Sequence, residues 1–143
     1  MRRATRRSLF VFVFAALAPS AGAAPPAADL FTTLASALSE GDAFAFMRPF
    51  DRAMPGVESL RANVTALVLR AEVLASLEIT RDEGDDAHRS IEIEWYLRIR
   101  DKEETGSLTR RQETVKCRLE HRGKKWVIMA FEPLSLFAPP GVR

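Results

Sequence analysis

Residues 90–100 read SIEIEWYLRIR, with Ile91, Ile93, Trp95, Leu97 and Ile99 on one parity and Glu92, Glu94, Tyr96, Arg98 and Arg100 on the other. A period of two predicts a strand with one buried and one wet face. Upstream the period is 3.6. In AADLFTTLASALSEGD, Leu30, Phe31, Leu34 and Leu38 form one apolar stripe, which predicts a helix. Gly41 can take the left-handed stop, and Asp42 can cap the next helix at once. That second helix carries Phe44, Phe46, Met47 and Phe50, with Pro49 set to kink or divide it. A third helix is expected from Pro55-Gly56 to about Arg70, with Leu60, Val64, Leu67 and Val68 as its stripe. After Arg70 the period switches to two, and strands are expected over 71–80, 89–100, 107–121 and 124–133. Helices first and adjacent strands afterwards predict an α+β fold, with three N-terminal helices packed on an antiparallel sheet of about four strands.

The turns suggest a register. A two-residue turn at Arg122-Gly123 pairs Leu119 with Trp126, Cys117 with Ile128 and Val115 with Ala130. Keeping the apolar face whole pairs Ile91 with Cys117 and Ile93 with Val115, and hence Trp95 with Glu113 and Glu92 with Lys116. In the first hairpin, Ile79 opposite Ile91 sets small Ala75 across from Trp95. Opposite charges then meet across strands on the outer face.

The first 23 residues change the reading of charge. Arg2, Arg3, Arg6 and Arg7 precede an apolar run from Leu9 to Ala18 and the small residues Ala21-Gly22-Ala23, the pattern of a secretory signal cleaved after Ala23. The apolar run is too short to span a bilayer. A periplasmic or secreted protein is expected. The general secretory route is favoured, with the twin-arginine route as alternative because Arg6-Arg7 precede Leu9-Phe10. Cleavage removes four of the 21 basic residues and none of the 19 acidic ones, so the mature chain has 17 against 19. A nucleic-acid partner is therefore not expected, since phosphate binding needs clustered cations. No cysteine near the cleavage site offers a lipid anchor, so no membrane attachment is expected after cleavage. Residues 24–27 read as a short linker, 28–134 as the domain and 135–143 as a C-terminal tail.

Candidate chemistry is sparse. Cys117, the only cysteine, falls on the inner face and reads as a small buried hydrophobe without a base. His88 and His121 sit beside turns, off the apolar strand positions. The loop RDEGDDAHRS holds Asp82, Glu83, Asp85 and Asp86, but not at calcium-loop spacing, so it reads as a solvated hairpin tip. Asn63-Val64-Thr65 matches a glycosylation acceptor, in mid-helix. No cofactor and no metal are expected. Glu113 is the one acid that the register turns inward, opposite Trp95 and on the parity of Arg111. A carboxyl at the mouth of an apolar cavity is a weak candidate for a catalytic base. Pairing with Arg111 in solvent is the plainer account.

LASALSEGDAFAFMRPFD, MPG, IEWYLRI and GKKWVIMAFEP, in this order across residues 28–134, resemble the nuclear transport factor 2-like superfamily, which includes SnoaL-like cyclases. The chain looks most like its small secreted bacterial members of unassigned function. The resemblance implies a cone-like fold whose curled sheet leaves a cavity against the helices. The superfamily spans steroid isomerases, dehydratases, cyclases and plain binding or dimerisation modules, so fold does not settle function. Isomerase-like members place an aspartate base directly before a proline after the second helix. Here that place is held by Met54, before Pro55, and Asp51 lies three residues earlier. That departure counts against isomerase chemistry. The short strand that many members place between the second and third helices is not expected here.

In such a cone Phe50, Met54, Trp95, Arg111, Glu113 and Trp126 are the expected ligand-pocket residues. Val127, Met129 and Phe131 form an apolar stripe on the outer parity and are the expected interface, with a second copy of the chain as a candidate partner. The tail PLSLFAPPGVR folding back over that stripe is the alternative. The expected function is a non-catalytic module binding a small apolar ligand in the cone or a protein through the sheet. A small lyase or isomerase using Glu113 is the competing reading.

Overall fold

The computed structural model describes residues 26–103 and 106–141. The expected export leader, residues 1–23, lies outside the described residues. Three helices precede the sheet: α1 (Ala27–Glu40), α2 (Ala43–Met47) and α3 (Val57–Arg70). Four strands follow, β1 (Ala71–Gly84), β2 (His88–Asp101), β3 (Leu108–Arg122) and β4 (Lys125–Glu132), and a 3-10 turn spans Leu134–Phe137. The sheet order is β1-β2-β3-β4, antiparallel throughout. The expected α+β architecture is therefore what the chain forms.

The corner between α1 and α2 works as its residues dictate. Gly41 closes α1 at φ 73°, and its N–H and that of Asp42 donate to carbonyls of the last turn. The Asp42 carboxylate accepts the Ala45 N–H at 2.9 Å. The second helix is shorter than expected. It ends at Met47, two residues before Pro49, which has no N–H to continue the helical bonds. Phe50 is consequently not helical. It makes a parallel bridge to Ile128, with Asp51 N–H donating to Ile128 O at 3.0 Å and Ile128 N–H to Pro49 O at 2.8 Å. One bridge thus stands where a short strand was not expected, and it covers the middle of the β4 edge. Phe44 points to solvent, 73% exposed, and takes no part in the core.

The core lies between the helical stripes and the inner sheet face. Phe31, Leu34 and Leu38 of α1, Phe46 of α2, and Leu60, Val64 and Leu67 of α3 are buried against Ile91, Ile93, Trp95, Leu97, Ile99, Val115, Cys117, Leu119 and Ile128. The β2–β3 register is the expected one, with Ile91 opposite Cys117, Trp95 opposite Glu113 and Glu92 opposite Lys116.

The other two pairings differ. Ile79 faces Ile93, not Ile91, so Leu77, not Ala75, lies across from Trp95. The hairpin is longer than expected, and a bulge at Thr80 absorbs the difference. In the last hairpin Arg122 faces Lys125, so the turn is Gly123-Lys124, and Leu119 faces Ile128. Gly123, at φ 63°, opens the turn, where a left-handed residue is required. Both corrections shift the register by two and preserve which face is buried. Each bulge reverses the parity beyond it: at Thr80 that stretch is exposed, whereas a second bulge, at Met129, turns a core residue. Beyond it Arg118 faces Ala130 and Cys117 faces Phe131, so Phe131 turns inward.

Candidate functional site

The inside of the cone is built around one aromatic ring that strand periodicity does not reveal. Phe137, in the 3-10 turn, is fully buried. Its ring centroid lies 5.3 Å from Trp95, 5.4 Å from Phe46 and 5.6 Å from Phe131. Phe50 completes the cluster, 5.0 Å from Phe131 and 5.5 Å from Phe46. Leu136 and Ala138 are buried beside it. Leu136, Phe137 and Ala138 therefore pack inside the cone and not over the outer face. The available signal was the apolar set Leu134, Leu136 and Phe137 between Pro133 and Pro139, which lacks a strand's strict alternation.

Arg111 holds this segment in place. It is the one buried charged residue among the described residues, 6% exposed. Its Nη1 donates to Leu136 O at 2.8 Å and to Ala138 O at 2.6 Å, and its Nη2 donates to Pro139 O at 3.4 Å. A planar guanidinium with five donors suits several acceptors gathered on one side. Glu113 lies two residues further along β3 on the same parity, half-buried.

The six expected pocket residues fall into three places. Phe50, Trp95, Arg111 and Glu113 belong to the Phe137 end of the cone or to the β3 positions beside it. Met54 is buried in the loop before α3 and lines a separate cleft of about 700 Å3 with Asp51, Arg89, Arg118, Glu120 and Met129. Trp126 packs on His121, ring centroids 5.0 Å apart, and borders a groove with Leu30, Arg48 and Pro49. Of the expected interface stripe, Val127 and Met129 remain half-buried, while Phe131 is buried on the inner side because of the Met129 bulge.

The 700 Å3 cleft has its acids engaged. Asp51 accepts from Arg122 Nη1 at 2.8 Å and from the Ala53 N–H at 2.9 Å. Those bonds hold its carboxyl below the usual range, so it stays ionised and is a poor proton acceptor near neutrality. Arg89 donates to Asp82 at 2.6 Å and to Asp85 O at 3.0 Å. The Asp85 carboxylate accepts the Ala87 and His88 N–H groups, both at 2.8 Å, an arrangement that shapes the hairpin tip. Burial pushes the Cys117 thiol well up, which removes its nucleophilic form. Among the described residues no three His, Cys, Asp or Glu side chains are grouped to hold a metal ion.

No protein-family model matches the chain, and no curated protein matches it by sequence. Solved structures do resemble it. An NTF-2 like protein of unknown function from Shewanella oneidensis aligns with TM-score 0.54 and 11% identity, over 73% of this chain and 92% of that one. A conserved protein from Planctomyces limnophilus aligns with TM-score 0.57 and 7% identity, over 72% and 88%. A protein from Xanthomonas campestris, provisionally named a calcium/calmodulin dependent protein kinase II association domain, aligns with TM-score 0.59 and 17% identity, over 81% and 87%. At such identities the likeness concerns architecture alone. Three helices laid across a curved four-stranded antiparallel sheet, together with these likenesses, give the chain the nuclear transport factor 2-like fold.

Proposed function

We propose that this chain is an exported, non-catalytic binding module that takes a small apolar ligand in its cone. One observation carries the reading. Phe46, Phe50, Trp95 and Phe131 converge inside the cone, and the ring filling their centre comes from a four-residue turn near the chain's end. A short terminal segment opens at less cost than a helix or a central strand. Native mass spectrometry of the protein purified from its own host tests the reading. Retained small-molecule mass is expected, and a chain that stays bare after incubation with a host lipid and metabolite extract would sink it.

The lyase or isomerase alternative asks Glu113 to act on a substrate seated against Trp95, the place where Phe137 packs. Glu113→Gln separates the two readings: a base is lost with its carboxylate, whereas ligand retention is not.

A second reading, a sheet-face homodimer, has its own support on the outer face. The neutral row Ser76–Tyr96–Gln112 divides it, with Leu74, Arg98 and Arg110 on one side and Glu78, Glu94 and Thr114 on the other. A two-fold axis along that row sets Arg98 of one copy against Glu94 of the next. Tyr96, 37% exposed, would lie at the centre.

A further inference from the structure

The groove beside Trp126 lies apart from the cone's ring cluster and goes beyond the cone reading. It is walled by the start of α1, the end of α2 and the β3–β4 hairpin, and it shares no lining residue with the rings around Phe137. Its volume is about 410 Å3, a size that suits a small ligand. Leu30, Pro49, Trp126 and Val127 give it an apolar lining, and Arg48, Lys124 and Lys125 stand exposed along it. The two lysines are there because the hairpin turns at Gly123-Lys124, which sets them side by side at its end. The Arg48 guanidinium lies 5.2 Å from the centre of the exposed Phe44 ring, a cation–π contact that steadies it at the rim. Among the described residues none of these three cations makes an ion pair. The one acid among the described lining residues is Asp29, in the first turn of α1, where the helix's own N-terminal dipole favours a carboxylate. Cations gathered along an apolar, low-dielectric wall concentrate positive potential there.

We infer that this groove is a second binding site, and that it takes a single-chain amphiphile bearing one carboxylate. The hydrocarbon chain lies along Leu30, Pro49, Trp126 and Val127, and the carboxylate lies among Arg48, Lys124 and Lys125. Charge complementarity selects the occupant: three cations without an ion pair against one acid favour an anion and disfavour a cation. The apolar lining gives a hydrocarbon chain the burial that a bare anion lacks. A concave groove accepts one chain, whereas a flat lipid surface would not reach the nearly buried Trp126 in it.

The test uses the protein purified from its own host, stripped of bound lipid and titrated calorimetrically with decanoate, decanol and decyltrimethylammonium. Decanoate should bind about tenfold tighter than decanol, the gain that two or three exposed ion pairs supply, and the ammonium should bind weakest. Added salt should narrow the gap between decanoate and decanol, because exposed pairs are screened. Both of these arms use the parent chain and need no variant to fold. Lys124→Glu combined with Lys125→Glu should close the gap, and Arg48→Gln alone should narrow it. A preference for decanoate that survives the double variant places the binding elsewhere, overturns this site and leaves the cone reading standing. Equal binding of decanoate and decanol by the parent overturns the role of the cations. No binding of decanoate overturns the site outright. In that event, self-association lost in the double variant would assign the groove to a second copy, and photo-cross-links from Lys124 to residues before Pro26 would assign it to the chain's own start.

Discussion

Arg111 looks like one more charge on a strand end until its partners are known. Its guanidinium satisfies carbonyls that would otherwise be buried without donors. Arg111→Ala should therefore destabilise the protein by about 2 kcal/mol or more, and Arg111→Lys by less. Urea unfolding measures both, and a change near zero for the alanine variant would show that the tail is held by other means. Cys117 yields a simpler expectation. Its raised thiol pKa and burial leave almost no thiolate, so Ellman's reagent should label the native protein far more slowly than the unfolded chain. Rapid native labelling would contradict its placement. Asp51 carries a sign that can be worked out. Its pKa is lowered from 3.8 mainly by the Arg122 hydrogen bond, so its contribution to stability is present above that usual value. It is lost as pH falls through the lower folded value. Carbon-detected titration should place Asp51 below an ordinary aspartate, and Arg122→Ala should move it back up.

At the scale of elements, two bulges separate what periodicity predicts from what the sheet does. The Thr80 bulge reverses the parity of β1 beyond it, so that Asp82 faces Ile91, but it buries nothing new because that end of the hairpin is exposed. The Met129 bulge puts one extra residue into β4 and reverses the parity beyond it. Phe131 is 4% exposed as a result, whereas Met129 is half-buried and takes a hydrogen bond from Arg122 at 3.5 Å. Phe131→Glu should cost more than about 4 kcal/mol, from lost packing and a buried unpaired charge, while Met129→Glu should cost about 1 kcal/mol or less. Thermal unfolding compares them directly, and similar losses for the two variants would contradict the bulge. The 3-10 turn makes the same point about context. Leu136 and Phe137 have no strand or helix period to announce them, yet they fill the cone's centre.

For the molecule as a whole, the proposed homodimer turns on the charges of the outer face. Among the described residues Arg98, Arg100 and Arg110 make no ion pair with the face's acids, while Glu94 is held by Thr114 at 2.7 Å and Gln112 at 3.5 Å. A two-fold contact along the Tyr96 row would pair the free cations with that acidic band. Arg98→Glu should convert a dimer to monomer in sedimentation velocity, and adding Glu94→Arg should restore it, since the double change returns opposite charges to the same facing positions. A parent chain that sediments as a monomer at every accessible concentration would end this reading.

The order of elements, the α+β class and the inner parity of β2 and β3 were set by the sequence alone. Local periods of 3.6 and 2, a glycine stop and an aspartate cap are properties of neighbouring residues, and the register of two long alternating strands follows from keeping one face apolar. The lengths of the hairpins, the parity of Phe131, the helix break ahead of Phe50 and the burial of Phe137 were decided only by the tertiary structure. Each depends on how much room remains once the helices lie on the sheet. Trp95 was legible as an inward residue, but what faces it was not. The ring that meets it lies 42 positions along the chain and reaches the cone through a turn with no period of its own.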